Sequence, residues 1–231
     1  MYQKHHHSTT GARKNSSKDA WAEINNPKEW GKRTRIKGNA NHPKKGDKIK
    51  FEPIRSKEGI AAIKSLLSES PRDFALFTLG INTAYRANEL LRLRIADVRH
   101  LRAGDTLDIW QTKTGKYRRV VLNNSVVDAL QKWIEHSGLD GDAPLFVSRK
   151  GGALMVPTLN NMVKDWCNRA GLVGNYGSHT LRKTWGYWQR KENQTPLPLL
   201  MTAFGHSTEQ QTLDYLCIQS DEISELYSYE L

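Results

Sequence analysis

Apolar residues recur at the spacing of helix faces through much of the chain after residue 50. Ser56 is a candidate N-cap for a helix with Ile60, Ile63 and Leu67 on one side, and Pro71 suits the first turn of a second helix. Two later sets repeat this spacing: Val126, Leu130, Trp133 and Ile134, and then Leu159, Met162, Val163 and Trp166. The pattern predicts a mostly helical domain.

Alternating apolar and polar residues indicate one β-hairpin within this helical pattern. The runs Thr106–Thr112 and Tyr117–Leu122 are rich in β-branched and aromatic residues, and Gly115 lies between them. Lys113 and Lys116 fall near the predicted turn. The predicted fold class is therefore mainly α with a small antiparallel β-sheet, an α+β domain.

The residue pattern of the last third of the chain predicts helices again. One is expected at His179–Lys191 and one around Tyr215, with a segment broken by prolines, Thr195–Phe204, between them. Ser220 is a candidate N-cap for a last short helix. We see no internal repeat.

Positive charge is concentrated at the start of the chain. Residues 1–50 hold thirteen Lys or Arg against four acidic residues and show little apolar periodicity. Segments of this composition bury too little apolar surface to fold alone. We therefore expect residues 1–50 to be a basic, flexible tail and residues 51–231 to be the folded domain.

Composition and motifs limit the possible functions. The formal net charge of +11 indicates a polyanionic partner, with nucleic acid favoured over membrane. No apolar run approaches the roughly 20 residues of a membrane span. Cys167 and Cys217 form no CxxC pair, so neither a disulfide framework nor a thiolate zinc site is expected. No P-loop or dinucleotide motif is found, and we expect a cytoplasmic protein that needs no metal or cofactor, nucleoid-associated if it is prokaryotic.

Three short stretches hold groups suited to phosphate chemistry. They are Thr83–Leu93 with Arg86 and Glu89, Ser178–Lys183 with His179 and Arg182, and Phe204–Tyr215 with His206 and Tyr215. The three-residue spacing puts His179 and Arg182 on one helix face. Alone, each stretch also fits an ordinary role, as a surface ion pair, a helix start or a core tyrosine.

Together, the order and spacing of these stretches resemble the catalytic domain of the tyrosine recombinase family, also called phage-type integrases. The shared pattern is an arginine, a hairpin lysine, His-x-x-Arg, Gly-His, and a tyrosine nine residues beyond that histidine. The resemblance covers about residues 53–229. It implies six catalytic residues, Arg86, Lys113, His179, Arg182, His206 and Tyr215, with Glu89 supporting the first arginine. Lys113 fits the hairpin position better than Lys116.

The chemistry of a phosphodiester under attack agrees with this assignment. Arg86 and Arg182 can hold the non-bridging oxygens of a crowded, negatively charged intermediate state. A tyrosine hydroxyl has a reference pKa of about 10, so Tyr215 needs a proton acceptor, for which His179 is the nearer candidate. Lys113 can protonate the leaving 5′-hydroxyl. His206 is expected to orient the phosphate or to pack against the nucleophile.

The resemblance implies a site-specific DNA recombinase or integrase that works through a 3′-phosphotyrosine intermediate at Tyr215. Two alternatives stay open: a type IB topoisomerase-like enzyme that nicks and reseals one strand, and a DNA-binding regulator with this fold that does not cleave. The expected partners are double-stranded DNA and further copies of the chain, as a dimer or tetramer on DNA, with no membrane. The acidic terminus Ser220–Leu231 is expected to dock onto a neighbouring subunit.

The chain departs from the family pattern at its start. Family members usually carry a separate helical core-binding domain before the catalytic one, and residues 1–50 are short and polar for that role.

Overall fold

The computed structural model describes residues 50–111 and 116–217 together with Ser224, Tyr227 and Ser228. All of them belong to one compact unit, Asn39–Leu231. The predictions for residues 1–49, for Lys113 and for most of the acidic terminus lie outside the described residues. The described helices and strands, in chain order, are α1 Lys57–Leu66, α2 Pro71–Asn82, α3 Ala87–Leu90, α4 Ile95–Val98, β1 Thr106–Gln111, β2 Lys116–Val121, α5 Asn124–Ser137, α6 Val156–Arg169, α7 Ser178–Lys191, α8 Leu197–Phe204 and α9 Glu209–Leu216.

Helix α2 lies at the centre of the helical part and packs against α1, α5 and α7. Its inward side chains Leu76, Phe77 and Leu79 are fully buried, and the Phe77 ring meets the Trp166 ring of α6 edge to face at 6.0 Å. Burial of such side chains is the main stabilising contribution to a core of this kind. The predicted cap of α1 is confirmed, because Ser56 Oγ accepts a hydrogen bond from the Gly59 N–H at 3.1 Å.

The two strands pair antiparallel, with Ile109 opposite Arg118 and Trp110 opposite Tyr117. Leu107 is buried, whereas Trp110 and Tyr117 lie exposed on the other face with their rings 4.8 Å apart. Strand β2 has the predicted length but begins and ends one residue earlier than predicted, and β1 begins at the predicted residue. The predicted class, mainly α with a small antiparallel sheet, is confirmed.

The prediction of a proline-broken segment at Thr195–Phe204 is wrong for most of its length. Leu197–Phe204 is a helix, α8, with Pro198 in its first turn. Proline is compatible with that turn because an N–H there has no partner inside the helix. Gly205 then ends the helix in the left-handed conformation, with φ of 65°.

A second apolar cluster joins α7, α8 and α9. Its buried members are Ala84, Tyr187, Leu200, Phe204 and Leu216, and Trp185, Trp188 and Tyr215 pack against it. The aromatic residues of this cluster therefore serve mainly in packing. In the described part of the chain no helix is both long and apolar enough to cross a bilayer.

Candidate active site

Glu89 fixes the position of Arg86 at the start of α3. Its Oε2 accepts a hydrogen bond from the Arg86 backbone N–H at 2.6 Å, and its Oε1 pairs with Arg86 Nη1 at 3.0 Å. Glu89 is buried, and its Oε2 lies 3.9 Å from Nη1 of Arg182. One buried carboxylate therefore acts as the counter-charge for two arginines, which reduces their mutual repulsion.

Arg182 reaches the same place from α7 and is only 3% exposed. Its Nη2 donates a 2.6 Å hydrogen bond to the Phe204 carbonyl oxygen, and its guanidinium lies 4.9 Å from the centroid of the Phe204 ring. Burial lowers the pKa of Arg182 to about 10, so the group stays charged at neutral pH. Among the described residues its Nη1 has no hydrogen-bond partner, although it is buried.

Three guanidinium groups converge on that carbonyl, which lies at the end of α8. The distances to Phe204 O are 2.6 Å from Arg182 Nη2, 3.4 Å from Arg86 Nη2 and 3.5 Å from Arg118 Nη2. The last carbonyls of a helix carry partial negative charge and lack partners within the helix. The positive groups are thereby held together, and they form a concentrated cationic site suited to a phosphate.

Tyr215 stands beside this cluster in the last turns of α9. Its ring centroid lies 5.1 Å from that of His206 and 5.2 Å from that of Phe204, and Lys183 Nζ lies 4.7 Å from the Tyr215 ring. Burial raises the pKa of Tyr215, while the charges of Arg182 and Arg86 lower it. The phenol is therefore protonated at neutral pH, and it needs a proton acceptor before it can act as a nucleophile.

The Tyr215 hydroxyl lies 3.5 Å from Nδ1 of His179. The pKa of His179 is lowered by partial burial of its ring and then by the charges of Arg182 and Lys183. A neutral imidazole with its proton on Nε2 can accept a proton at Nδ1. His179 is thus in a suitable ionisation state to act as the acceptor.

His206 follows the Gly205 turn and packs flat on Phe204, with ring centroids 5.2 Å apart. Its Nδ1 lies 3.0 Å from Thr212 Oγ1 on α9. Burial, followed by the charges of Arg182, Arg86 and Arg118, lowers its pKa to about 4. His206 is therefore neutral at pH 7 and is held between the end of α8 and the helix of Tyr215.

The residues just before α1 border the same site. The Phe51 ring stacks on the His179 ring with centroids 6.1 Å apart, and the Phe51 carbonyl lies 3.8 Å from Cys217 Sγ. Arg55 Nη2 donates to the Cys217 carbonyl at 2.7 Å. The beginning of the domain is therefore attached to the chain just after Tyr215.

Five of the six predicted catalytic residues, and Glu89, come together in the structure, and Lys113 lies outside the described residues. Sequence reasoning missed Arg118, which lines a cavity of about 1130 Å³ together with Arg86 and His206. It also missed Lys183 beside the Tyr215 ring. Strand alternation could have indicated Arg118, because it stands opposite Ile109 and not on the exposed face of Trp110 and Tyr117.

The sequence pattern of the phage integrase family matches residues 56–222, so this chain belongs to that family. It is 30% identical to the probable integrase/recombinase YoeC of Bacillus subtilis over 180 residues, which cover 76% of this chain and 94% of YoeC. It is 26% identical to the tyrosine recombinase XerC of Caldanaerobacter subterraneus over 67% of this chain. The match spans only 43% of that XerC.

Solved structures share the fold. The XerA recombinase superposes with a TM-score of 0.64 at 22% identity, over 77% of this chain and 65% of XerA. The XerH recombinase bound to its difH substrate gives 0.60 at 25% identity, over 79% and 56%. A lambda integrase dimer bound to a core site gives 0.56 at 19% identity, over 74% and 60%. The helical domain with its small hairpin is thus the recombinase catalytic-domain fold.

Proposed function

We propose that this chain is the DNA-cleaving domain of a site-specific recombinase of the integrase type, with Tyr215 as its nucleophile. The observation that carries the proposal is the Tyr215 hydroxyl, which lies beside a neutral histidine and a cluster of three guanidinium groups. A phosphodiester bound by Arg86 and Arg182 would have a nucleophile, a proton acceptor and charge stabilisation within one site.

In the proposed reaction, Tyr215 Oη forms a bond to phosphorus and the bond from phosphorus to the 5′-oxygen breaks. The phenol proton passes to His179, and Lys113 returns a proton to the leaving 5′-oxygen. Arg86 and Arg182 bind the non-bridging oxygens, whose negative charge grows in the transition state. The product is a 3′-phosphotyrosine and a free 5′-hydroxyl. The reverse attack by another strand's 5′-hydroxyl rejoins DNA without an external energy source.

The remaining site residues have supporting roles in this proposal. Glu89 keeps Arg86 and Arg182 close in spite of their like charges. His206, neutral and bonded to Thr212, holds the end of α8 against α9 and lines the cavity beside Arg86.

The proposed partners are double-stranded DNA and further copies of this chain. Among the structural relatives, XerH is bound to its difH substrate, and lambda integrase is bound to DNA as a dimer and to a Holliday junction as a tetramer. The net charge of +11, concentrated in residues 1–50, agrees with a DNA partner. Assembly on two sites would bring together the four strands that recombination exchanges.

Covalent capture tests the proposal. A duplex selected from a randomised pool by binding to the full chain is rebuilt with a nick near the cleaved bond, so that the cut fragment diffuses away and the adduct accumulates. The wild-type chain and Tyr227→Phe are expected to form a covalent protein–DNA band. Tyr215→Phe is expected to bind the duplex normally and to form none. An adduct in Tyr215→Phe would overturn the choice of nucleophile. A second assay uses supercoiled DNA as the substrate. Relaxation of this DNA without strand exchange would indicate a topoisomerase instead.

A further inference from the structure

Arg118 in β2 is a buried arginine outside the six residues of the proposed mechanism. Its side chain points to the inner face of the hairpin and is 8% exposed. Burial lowers its pKa, and the nearby carboxylate of Glu89 acts in the opposite direction. A charged group at such a position is stable only if its hydrogen bonds are well satisfied.

The hydrogen bonds of Arg118 connect three separate parts of the site. Nη1 donates to the Ala84 carbonyl at 2.8 Å and to the Ala203 carbonyl at 2.7 Å, and Nη2 lies 3.5 Å from the Phe204 carbonyl. Ala84 lies two residues before Arg86, and Ala203 and Phe204 end α8. One side chain therefore ties the hairpin both to the segment that presents Arg86 and to the helix end that Arg182 binds.

These contacts favour an anchoring role over phosphate binding. Both protons of Nη1 are directed at backbone carbonyl oxygens, so this nitrogen is already engaged by the protein. Among the described residues, Arg86 and Arg182 each donate to one backbone carbonyl, that of Phe204. Tyr85 adds a second tie at the base of the hairpin, where its hydroxyl donates to the Leu107 carbonyl at 2.6 Å. Arg118 is the tie nearer to the turn.

We infer that Arg118 is a positioning residue that fixes β2, the strand that follows Lys113 along the chain, relative to the bound phosphate. The inference rests on the proposed function. Lys113 lies five positions before Arg118 in the sequence, which is at most ~17 Å of extended chain. Proton transfer needs a donor and an acceptor within about 3.2 Å of each other, so a shift of β2 after the loss of Arg118 would be enough to slow general-acid catalysis by Lys113.

Arg119 is the matched control, because it is the next residue of the same strand and has the opposite environment. Its guanidinium pairs with Asp108 at 2.7 Å on the outer face, and its side chain is 70% exposed. An Arg119→Gln variant loses the same charge from the same strand and leaves the anchor intact.

Cleavage of two matched duplexes tests the inference. One duplex carries the natural phosphodiester, and the other carries a 5′-bridging phosphorothiolate whose thiolate leaves without general-acid help. Arg118→Gln is expected to slow cleavage of the natural duplex about 10-fold or more and to cleave the phosphorothiolate within about 3-fold of wild type. Arg119→Gln is expected to match wild type on both. Lys113→Ala with Arg118→Gln is expected to be no slower than Lys113→Ala alone, because both changes remove one function.

Other outcomes overturn the inference. An equal loss on both duplexes would place Arg118 among the phosphate ligands, and additive losses with Lys113→Ala would separate the two residues. Arg118→Lys, which keeps the charge, is measured in parallel and replaces the Gln variant if that one unfolds. Amide exchange is a second readout: faster exchange in Thr106–Gln111 with no change in α5 is expected, and unchanged exchange in this strand would contradict the anchor. A wild type that forms no adduct on either duplex would refute the proposed function instead.

Discussion

The carboxylate of Glu89 binds Arg86 twice, through the backbone N–H at 2.6 Å and through Nη1 at 3.0 Å. The first contact fixes where the main chain enters α3, and the second fixes the direction of the guanidinium. Because the carboxylate also lies 3.9 Å from Arg182, its charge offsets the repulsion between two buried or half-buried cations.

Removal of that charge is expected to destabilise the fold. Glu89→Gln keeps the shape of the side chain but leaves the arginines without their counter-charge, so the free energy of unfolding is expected to fall by about 3 kcal/mol. Glu58→Gln, an exposed first-turn acid of α1, is the control and is expected to change it by less than about 0.5 kcal/mol. Urea denaturation measures both. Equal values for the two variants would refute the role of Glu89.

Gly186 of α7 is expected to tolerate no side chain. A Cβ there would press into the Phe204 ring and lie 2.7 Å from Leu216 Cδ2, and both of these side chains are fully buried. Gly186→Ala is expected to cost about 1–3 kcal/mol in spite of alanine's higher helix propensity, and to reduce adduct formation because Leu216 adjoins Tyr215. Gly152→Ala, where a Cβ would meet nothing within 4 Å, is the control. Thermal unfolding that is unchanged in Gly186→Ala would contradict this packing.

His206 is expected to make stability depend on pH. Its pKa in the folded chain is about 4, below the reference value of about 6.5, so folding favours the neutral ring. The stability from this group is fully present above pH 6.5 and is lost as the pH falls from 6.5 towards 4. Denaturant unfolding from pH 7.5 to 4 is expected to show a smaller decrease for His206→Gln than for wild type. Parallel curves for the two chains would show that His206 is not the group responsible.

Deletion of residues 1–50 is expected to weaken DNA binding on all sequences. Each phosphate contact that is lost reduces the slope of log affinity against log salt concentration by about 0.9. Titrations between low and moderate salt, with the full chain and with the shortened chain, measure this slope. The rate of the cleavage step on saturating DNA is expected to change little. An unchanged slope would show that residues 1–50 make no phosphate contacts.

Residue order and spacing were sufficient to predict most of the residues that come together in the structure, and the contacts that were not predicted have physical reasons. Arg86, His179 and Tyr215 belong to a spaced motif that survives in the sequence, so their convergence could be expected. The meeting point of the three arginines, the Phe204 carbonyl, is a backbone atom that no sequence pattern marks. The burial of Arg118 depends on which face of β2 is turned inward, and the pairing register of β2 with β1 determines that face. Helix α8 was not predicted because proline breaks a helix in its interior, whereas Pro198 lies in the first turn, where proline is tolerated.

The contacts of Phe51 with His179 and Cys217 have a mechanical consequence. A pull on the chain ahead of Phe51 acts directly on the neighbours of Tyr215, because no helix or strand lies between that point and the site. If the protein is immobilised or fused through the chain ahead of Phe51, the applied force acts on the residues around Tyr215. The exposed loop around Gly152 is different, because the whole of α6 lies between it and the site residues of α7 along the chain, and the same load applied there would act first on that helix.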